Sequence, residues 1–209
     1  MLAAGITDPK VWISGETATQ YDTKKIVDRD TRVVIPVVII VISILLLIYL
    51  KSIVATLYLI ATVLLSYFSA LGAGWLILHY FMDTSAIQGL IPLYAFVFLV
   101  ALGEDYNIFM VSSIWQERSI RPLKDAIRLG VSQTSSVITS AGLILAGTFA
   151  VLATLPIQVL VQFGVICAIG VLLDTFIVRP FLVPSITLLL GEASFWPGKR
   201  KAVATVDRS

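Results

Sequence analysis

Residues Leu99–Val111 read L-V-A-L-G-E-D-Y-N-I-F-M-V. Two acids, Glu104 and Asp105, followed by Tyr106 and Asn107, interrupt what is otherwise a continuous apolar helix. A carboxylate at the middle of a bilayer costs on the order of 3 kcal/mol even on the permissive insertion scale, so adjacent acids in such a segment mark a functional site by default. On a helix, successive residues turn by about 100°, and side chains 104 to 107 therefore point nearly all the way round. No orientation hides all four from lipid unless protein or water surrounds them. The stretch is the central helix of a bundle, with more protein around it than this chain supplies.

The rest of the composition agrees. Of 209 residues, 58% are hydrophobic and only 13% charged, and the mean hydropathy is +0.95. That balance excludes a soluble globular domain and gives an all-α integral membrane protein, a five-helix transmembrane bundle. The single cysteine, Cys167, lies in an apolar helix and reads as a small buried hydrophobe, with no disulfide and no zinc spacing. No cofactor, metal, nucleic-acid partner or enzymatic activity is expected. The first residues lack a short apolar core with a cleavage site, so no removable signal peptide is expected.

Outward from the acidic cluster, the third span covers residues 89–114, with Trp115 at an interface. Before it, 33–50 is an uninterrupted apolar run with Pro36 in its opening turn, about 27 Å long as a helix and close to the hydrocarbon thickness. A tight turn at Lys51 leads into the second span, 53–81, where Ser66, Ala70 and Gly74 recur every four residues, the spacing that lets membrane helices approach closely. His79 and Tyr80 read as interfacial residues, ahead of a polar loop from Met82 to Ser85. Residues 1–32 are aqueous: Lys10 to Gly15 reads as a short strand, and Thr17 with Gln20 reads as a capping box opening a charged helix. Thirty residues bury little core alone, so this segment is the tail of a larger extramembrane domain.

After the third span, Pro122 opens a short amphipathic surface helix that Gly130 is expected to close. The fourth span is 133–153. Ser132, Ser136 and Ser140 recur at four-residue spacing with Thr139 beside them, either as a packing stripe or as hydrogen-bond partners of the acidic cluster. Gly142, Ala146 and Ala150 form a second small-residue edge. The fifth span, 157–190, is too long to stand upright and should tilt or project; Gly164 and Ala168 are four apart, and Pro180 and Pro184 break its hydrogen bonding. Asp174, near Thr175 and Arg179, reads as an ion-paired packing element. Residues 191–209, with Lys199, Arg200 and Lys201, read as a flexible basic tail.

Basic residues give the orientation. Lys51, the loop from Arg118 to Arg128 and the tail lie on one side, which is cytoplasmic; the connections around Asp83 and Pro156 carry no lysine or arginine. Five spans then put the amino terminus outside the cell membrane and the carboxyl terminus inside.

Three stretches together, G-E-D-Y-N-I-F from Gly103, V-I-T-S-A-G from Val137 and L-D-T-F-I-V-R-P-F-L-V-P from Leu173, resemble the carboxyl-terminal membrane part of the MMPL transporters of the resistance-nodulation-division superfamily. The resemblance covers about Gly15 to Gly191. It implies proton-driven export of lipids or other hydrophobic molecules by a protein of two similar halves, each pairing membrane helices with a large extracytoplasmic porter domain. On that pattern, residues 1–32 are the remnant of a porter domain, 33–190 are one transmembrane half, and Asp105 with Tyr106 relay protons. Glu104 departs from the more usual apolar or small residue and is expected to share the proton or modulate it. A truncated half lacking its amino-terminal partner and porter domains is expected not to complete a cycle alone, and to form a homo-oligomer through the face meant for the missing half.

The mechanism expected from the residues has Asp105 take a proton from the outer side and release it inward as the bundle rearranges, with Glu104 as its coupled neighbour. Tyr106 would donate to its charged form, with Asn107, Ser136, Thr139 and Ser140 as supporting partners. Two alternatives are weighed against this. One is a non-transporting scaffold or sensor of the same superfamily, whose polar residues only pin helices together. The other is an aspartyl intramembrane protease using Asp105 and Asp174, disfavoured because Glu104 and Leu173 stand where that family has glycine and tyrosine.

Overall fold

The computed structural model describes residues 15–84 and 86–197. Five helical segments long and apolar enough to cross a membrane follow one another up and down: α1 (Glu16–Leu50), α2 (Ile53–Met82), α3 (Ile91–Arg118), α4 (Leu123–Leu152), and a composite fifth span. The fifth runs as α5 (Gln158–Leu173), a π-helical segment (Asp174–Leu182), α6 (Val183–Leu190) and a 3₁₀ turn (Gly191–Phe195). Valine and isoleucine dominate α1 although they are mediocre helix formers in water. In hydrocarbon the backbone must satisfy itself, and a helix does so within one segment.

Several boundaries differ from the sequence expectation. Residue 32 is not a boundary: α1 runs unbroken from Glu16, with Gly15 as its cap and Thr17 inside. Pro36 is consequently interior; the bond it removes frees the Arg32 carbonyl, at the charged end of the helix where water can satisfy it. Gly130 does not close a surface helix, because α4 passes straight through it. A Cβ there would stand 2.7 Å from the Ile114 backbone nitrogen, so the glycine serves the close approach of α3 and α4. Trp115 is covered, its ring 5.5 Å from that of Phe195. The strand expected at Lys10 to Gly15, Ser85 of the polar loop, and Lys199 to Lys201 fall wholly or largely outside the described residues.

The chain from Gly191 to Pro197 is folded back rather than free. α2 begins with unbonded N–H groups, and Ile53 N–H donates to the Trp196 carbonyl at 3.0 Å. The Ser52 hydroxyl reaches the carbonyls of Ser194 at 2.7 Å and Trp196 at 3.0 Å, and its oxygen accepts from Ala55 N–H. At the opposite end of the bundle, the buried side chain of Gln162 on α5 accepts from Gln88 N–H at 2.9 Å and donates to the Ala86 carbonyl at 3.2 Å.

Small residues set the helix spacing. The stripe on α2 is buried, and a Cβ on Gly74 would lie 2.7 Å from Ile166 of α5. Gly164 lets α5 meet the Phe149 carbonyl of α4 in the same way. α1 is peripheral: Val33, Val37, Ile40, Val41, Ile44 and Ile48 are exposed, the apolar face of a membrane helix.

The core falls into two apolar clusters. One gathers Val63, Phe96, Val100, Ala146, Ile166 and Val171; the other Leu59, Met110, Ile114, Ile138 and Val178. Each of α2, α3, α4 and the fifth span contributes to both. Between them, at the same level on α3 and on the fifth span, lie Glu104, Asn107 and Asp174.

Candidate functional site

The polar layer at that junction is built from α3 and the π-helical segment. Pro180 cannot donate to a carbonyl in the preceding turn and its ring clashes there; the wider turn of a π-helix accommodates both. Widening also brings Asp174 and Arg179 together. Five positions apart on an α-helix they would point about 140° away from each other, whereas here Arg179 Nη2 donates to Asp174 Oδ2 in a buried ion pair.

Arg179 has a second contact. Its Cζ lies 4.3 Å from the centroid of the Tyr106 ring, a cation–π geometry that ties α3 to the π-helical segment. A cavity of about 10 Å³, the room one water needs, is lined here by Ser66, Gly103, Tyr106, Asp174, Thr175 and Arg179. Gly142 of α4 meets Thr175 so closely that a Cβ would stand 2.3 Å from its hydroxyl.

The four polar residues of the cluster on α3 are distributed as the helical turn requires. Glu104 is 4% exposed and Asn107 fully buried, and among the described residues both oxygens of the former and both amide atoms of the latter make no hydrogen bond. Asp174 Oδ1 and Arg179 Nε and Nη1 are also unpartnered. Tyr106 is half-buried under Arg179. Asp105 is exposed, at mid-length of α3 in a stripe of exposed residues, Tyr94, Val97, Ala101, Asp105 and Phe109, that recur every three or four positions down one face of the helix.

The structure therefore separates residues that the sequence placed together. Adjacent on the chain, Glu104 and Asp105 face inside and outside, and among the described residues no hydrogen bond joins Tyr106 to Asp105. Ser136 and Ser140 are exposed on α4 and do not partner the acids; the Ser140 hydroxyl donates to the Ser136 carbonyl of its own helix at 2.7 Å. A serine hydroxyl on a helix is self-satisfied by this bond, which is why four-residue spacing alone did not mark a shared site. Thr139 lines an opening of about 270 Å³ together with Thr134, Thr175, Arg179 and Phe181, and so borders the layer without touching the acids. Asp174 and Arg179 pair as expected. The stacking of Arg179 on Tyr106 was not foreseen, nor was Gln162; a lone amide in the apolar run of α5 was the signal for the latter.

A model of the MMPL family matches residues 3–207. The apo-petrobactin exporter of Bacillus anthracis is 70% identical over 198 residues, 94% of this chain and 27% of that protein. A putative membrane protein of Streptomyces coelicolor, SCO5905, is 47% identical over 197 residues, 94% of this chain and 23% of that one. The sulfolipid-1 exporter MmpL8 of Mycobacterium tuberculosis is 35% identical over 191 residues, 91% of this chain and 17% of that one. The chain thus spans at most 27% of the length of these relatives.

Proposed function

The chain belongs to the MMPL family, and from that premise we propose that it supplies a membrane-spanning part of a proton-motive-force-driven exporter of lipids or other hydrophobic molecules. Asp105 is the proton carrier of this part. The observation that supports the reading is its position at mid-length of α3 on the exposed stripe. A carboxylate facing lipid there would be costly, so the stripe is a surface for other protein, and the facing half of a two-half transporter is the partner that fits.

Protonation of Asp105 removes the charge from that interface and lets the two surfaces shift; its loss restores the charge and reverses the shift. Tyr106 connects this event to the rest of the chain, because its ring lies under the guanidinium that Asp174 holds. The proton enters from the extracytoplasmic side, where α1 begins, and leaves on the side of Lys51, Arg118 and Arg121, whose positive charge supports a cytoplasmic location. Relatives named for apo-petrobactin and for sulfolipid-1 both match more than nine-tenths of this chain, at 70% and 35% identity. Apo-petrobactin is the first cargo to assay, given the 70% identity, and a lipid the second.

The test is export and proton uptake by the full-length transporter in proteoliposomes under an imposed pH gradient. Asp105→Asn abolishes both while the transporter still elutes as a single species in detergent, because a carboxamide has the size and shape of the neutral carboxyl group. Undiminished export by Asp105→Asn overturns the reading and moves the protein toward the scaffold or sensor class.

A further inference from the structure

We propose that Glu104 is a second proton-binding site, distinct from Asp105, which holds its proton inside the bundle. Its place in a transport cycle rests on the reading of Asp105 as carrier; its protonation does not.

The argument is one of charge and access. Glu104 is 4% exposed, and among the described residues its oxygens meet no donor in hydrogen-bond geometry, the Asn107 amide being the polar side chain beside it. The helices of this chain enclose it, in contrast to Asp105. The charged residues that share this buried layer are Asp174 and Arg179, with Asp105 next along α3 but facing outward. Arg179 gives Nη2 to Asp174 and its face to Tyr106, so among the described residues the one buried cation at this level has its charge matched by a carboxylate already, while Nε and Nη1 make no hydrogen bond.

No other element brings compensation. Residues 33–50 of α1, 53–78 of α2 and 129–152 of α4 contain no lysine, arginine, aspartate or glutamate. The tyrosines of α2 that could share a proton are engaged elsewhere, Tyr58 with the Thr187 hydroxyl and Tyr67 with the Pro92 carbonyl. An enclosed carboxylate beside a neutralised ion pair would carry an uncompensated charge, which a low-dielectric interior penalises far more than a neutral carboxyl. A proton from water supplies the missing positive charge and turns one oxygen into a donor.

Asn107 supports the assignment. It lies one turn along α3, fully buried, with its amide unpartnered; a carboxamide both donates and accepts, so it can meet either protonation state of Glu104. The two acids of α3 then serve different surfaces: Asp105 the interface outside this chain, Glu104 the contact between α3 and the π-helical segment. When Arg179 leaves Asp174, Glu104 is the carboxyl able to release its proton and take over the guanidinium.

The test is infrared spectroscopy of the intact protein in liposomes at neutral pH. Wild type is expected to show the carbonyl stretch of a neutral carboxyl group, lost in Glu104→Gln and retained in Asp105→Asn. Selective carbon-13 labelling of glutamate carboxyls shifts the neutral band of wild type, and the loss of that shifted component in labelled Glu104→Gln assigns it to Glu104. Absence of the band in wild type, or its persistence unshifted on labelling, overturns the proposal, as does a band that appears only when sodium is withdrawn, which would make the site a cation site. Loss of export in Asp105→Asn with the band intact leaves both readings standing; unchanged export with the band intact sinks only the carrier role of Asp105.

Discussion

The Arg179 guanidinium lies between the Asp174 carboxylate and the face of the Tyr106 ring, 4.3 Å from its centroid. One side chain thereby joins the π-helical segment to itself and to α3. Removing it by Arg179→Gln leaves Asp174 buried and unpaired, a loss on the order of 3–5 kcal/mol. The double variant Asp174→Asn, Arg179→Gln removes both charges and is expected to be more stable than Arg179→Gln alone. Thermal unfolding in detergent, read as a double-mutant cycle, checks this; a double variant less stable than Arg179→Gln would show that the pair is not the reason for the loss.

Close helix contacts give a second prediction. In Gly130→Ala the new methyl meets the Ile114 backbone, which cannot step aside, and the cost is about 1–3 kcal/mol. Gly147 of the same helix has nothing within 4 Å of a built Cβ, so Gly147→Ala gains up to about 1 kcal/mol of helix propensity instead. Melting temperatures of the two variants should move in opposite directions from wild type.

Gln162 predicts a local effect. Gln162→Leu keeps the bulk of the side chain but leaves Gln88 N–H and the Ala86 carbonyl without their protein partner, at a cost of about 1–3 kcal/mol. Limited proteolysis is expected to cut faster between Asp83 and Leu90 in this variant than in wild type. Equal rates would mean that α2 and α3 hold the loop by themselves.

Ser136→Ala combined with Ser140→Ala is expected to leave proton uptake by the full-length transporter unchanged, since the bond recorded for the Ser140 hydroxyl within this polar stripe is to its own helix. Impaired uptake would return these hydroxyls to the relay.

What the sequence conveyed about this molecule was its periodicities and its exceptions. Val33 to Leu50 and the stripe of Ser66, Ala70 and Gly74 announce spans and close packing because a membrane leaves a helix few other ways to read. Asp174 and Arg179 were recognisable as partners because a buried acid needs a cation nearby. Gly130 was misread because a glycine ending a helix and a glycine admitting a neighbour look alike until Ile114 is in place. Glu104 and Asp105 looked like one site, since adjacency along the chain hides the 100° turn that sends one inward and the other outward. The π-helical turn at Pro180 has no sequence signature beyond the proline, and with it went the contact between Arg179 and Tyr106.

The fifth span is fastened at both extremities, by Gln162 to the backbone of residues 86–88 and by the carbonyls of Ser194 and Trp196 to Ser52 and Ile53. A rod clamped at head and foot cannot work as a piston. Whatever movement it makes must be taken up in mid-length, and the segment there with an irregular backbone is the one that holds Asp174 and Arg179. The span is then a buckling strut: the joint that flexes and the charges that would sense a proton are the same nine residues, Asp174–Leu182.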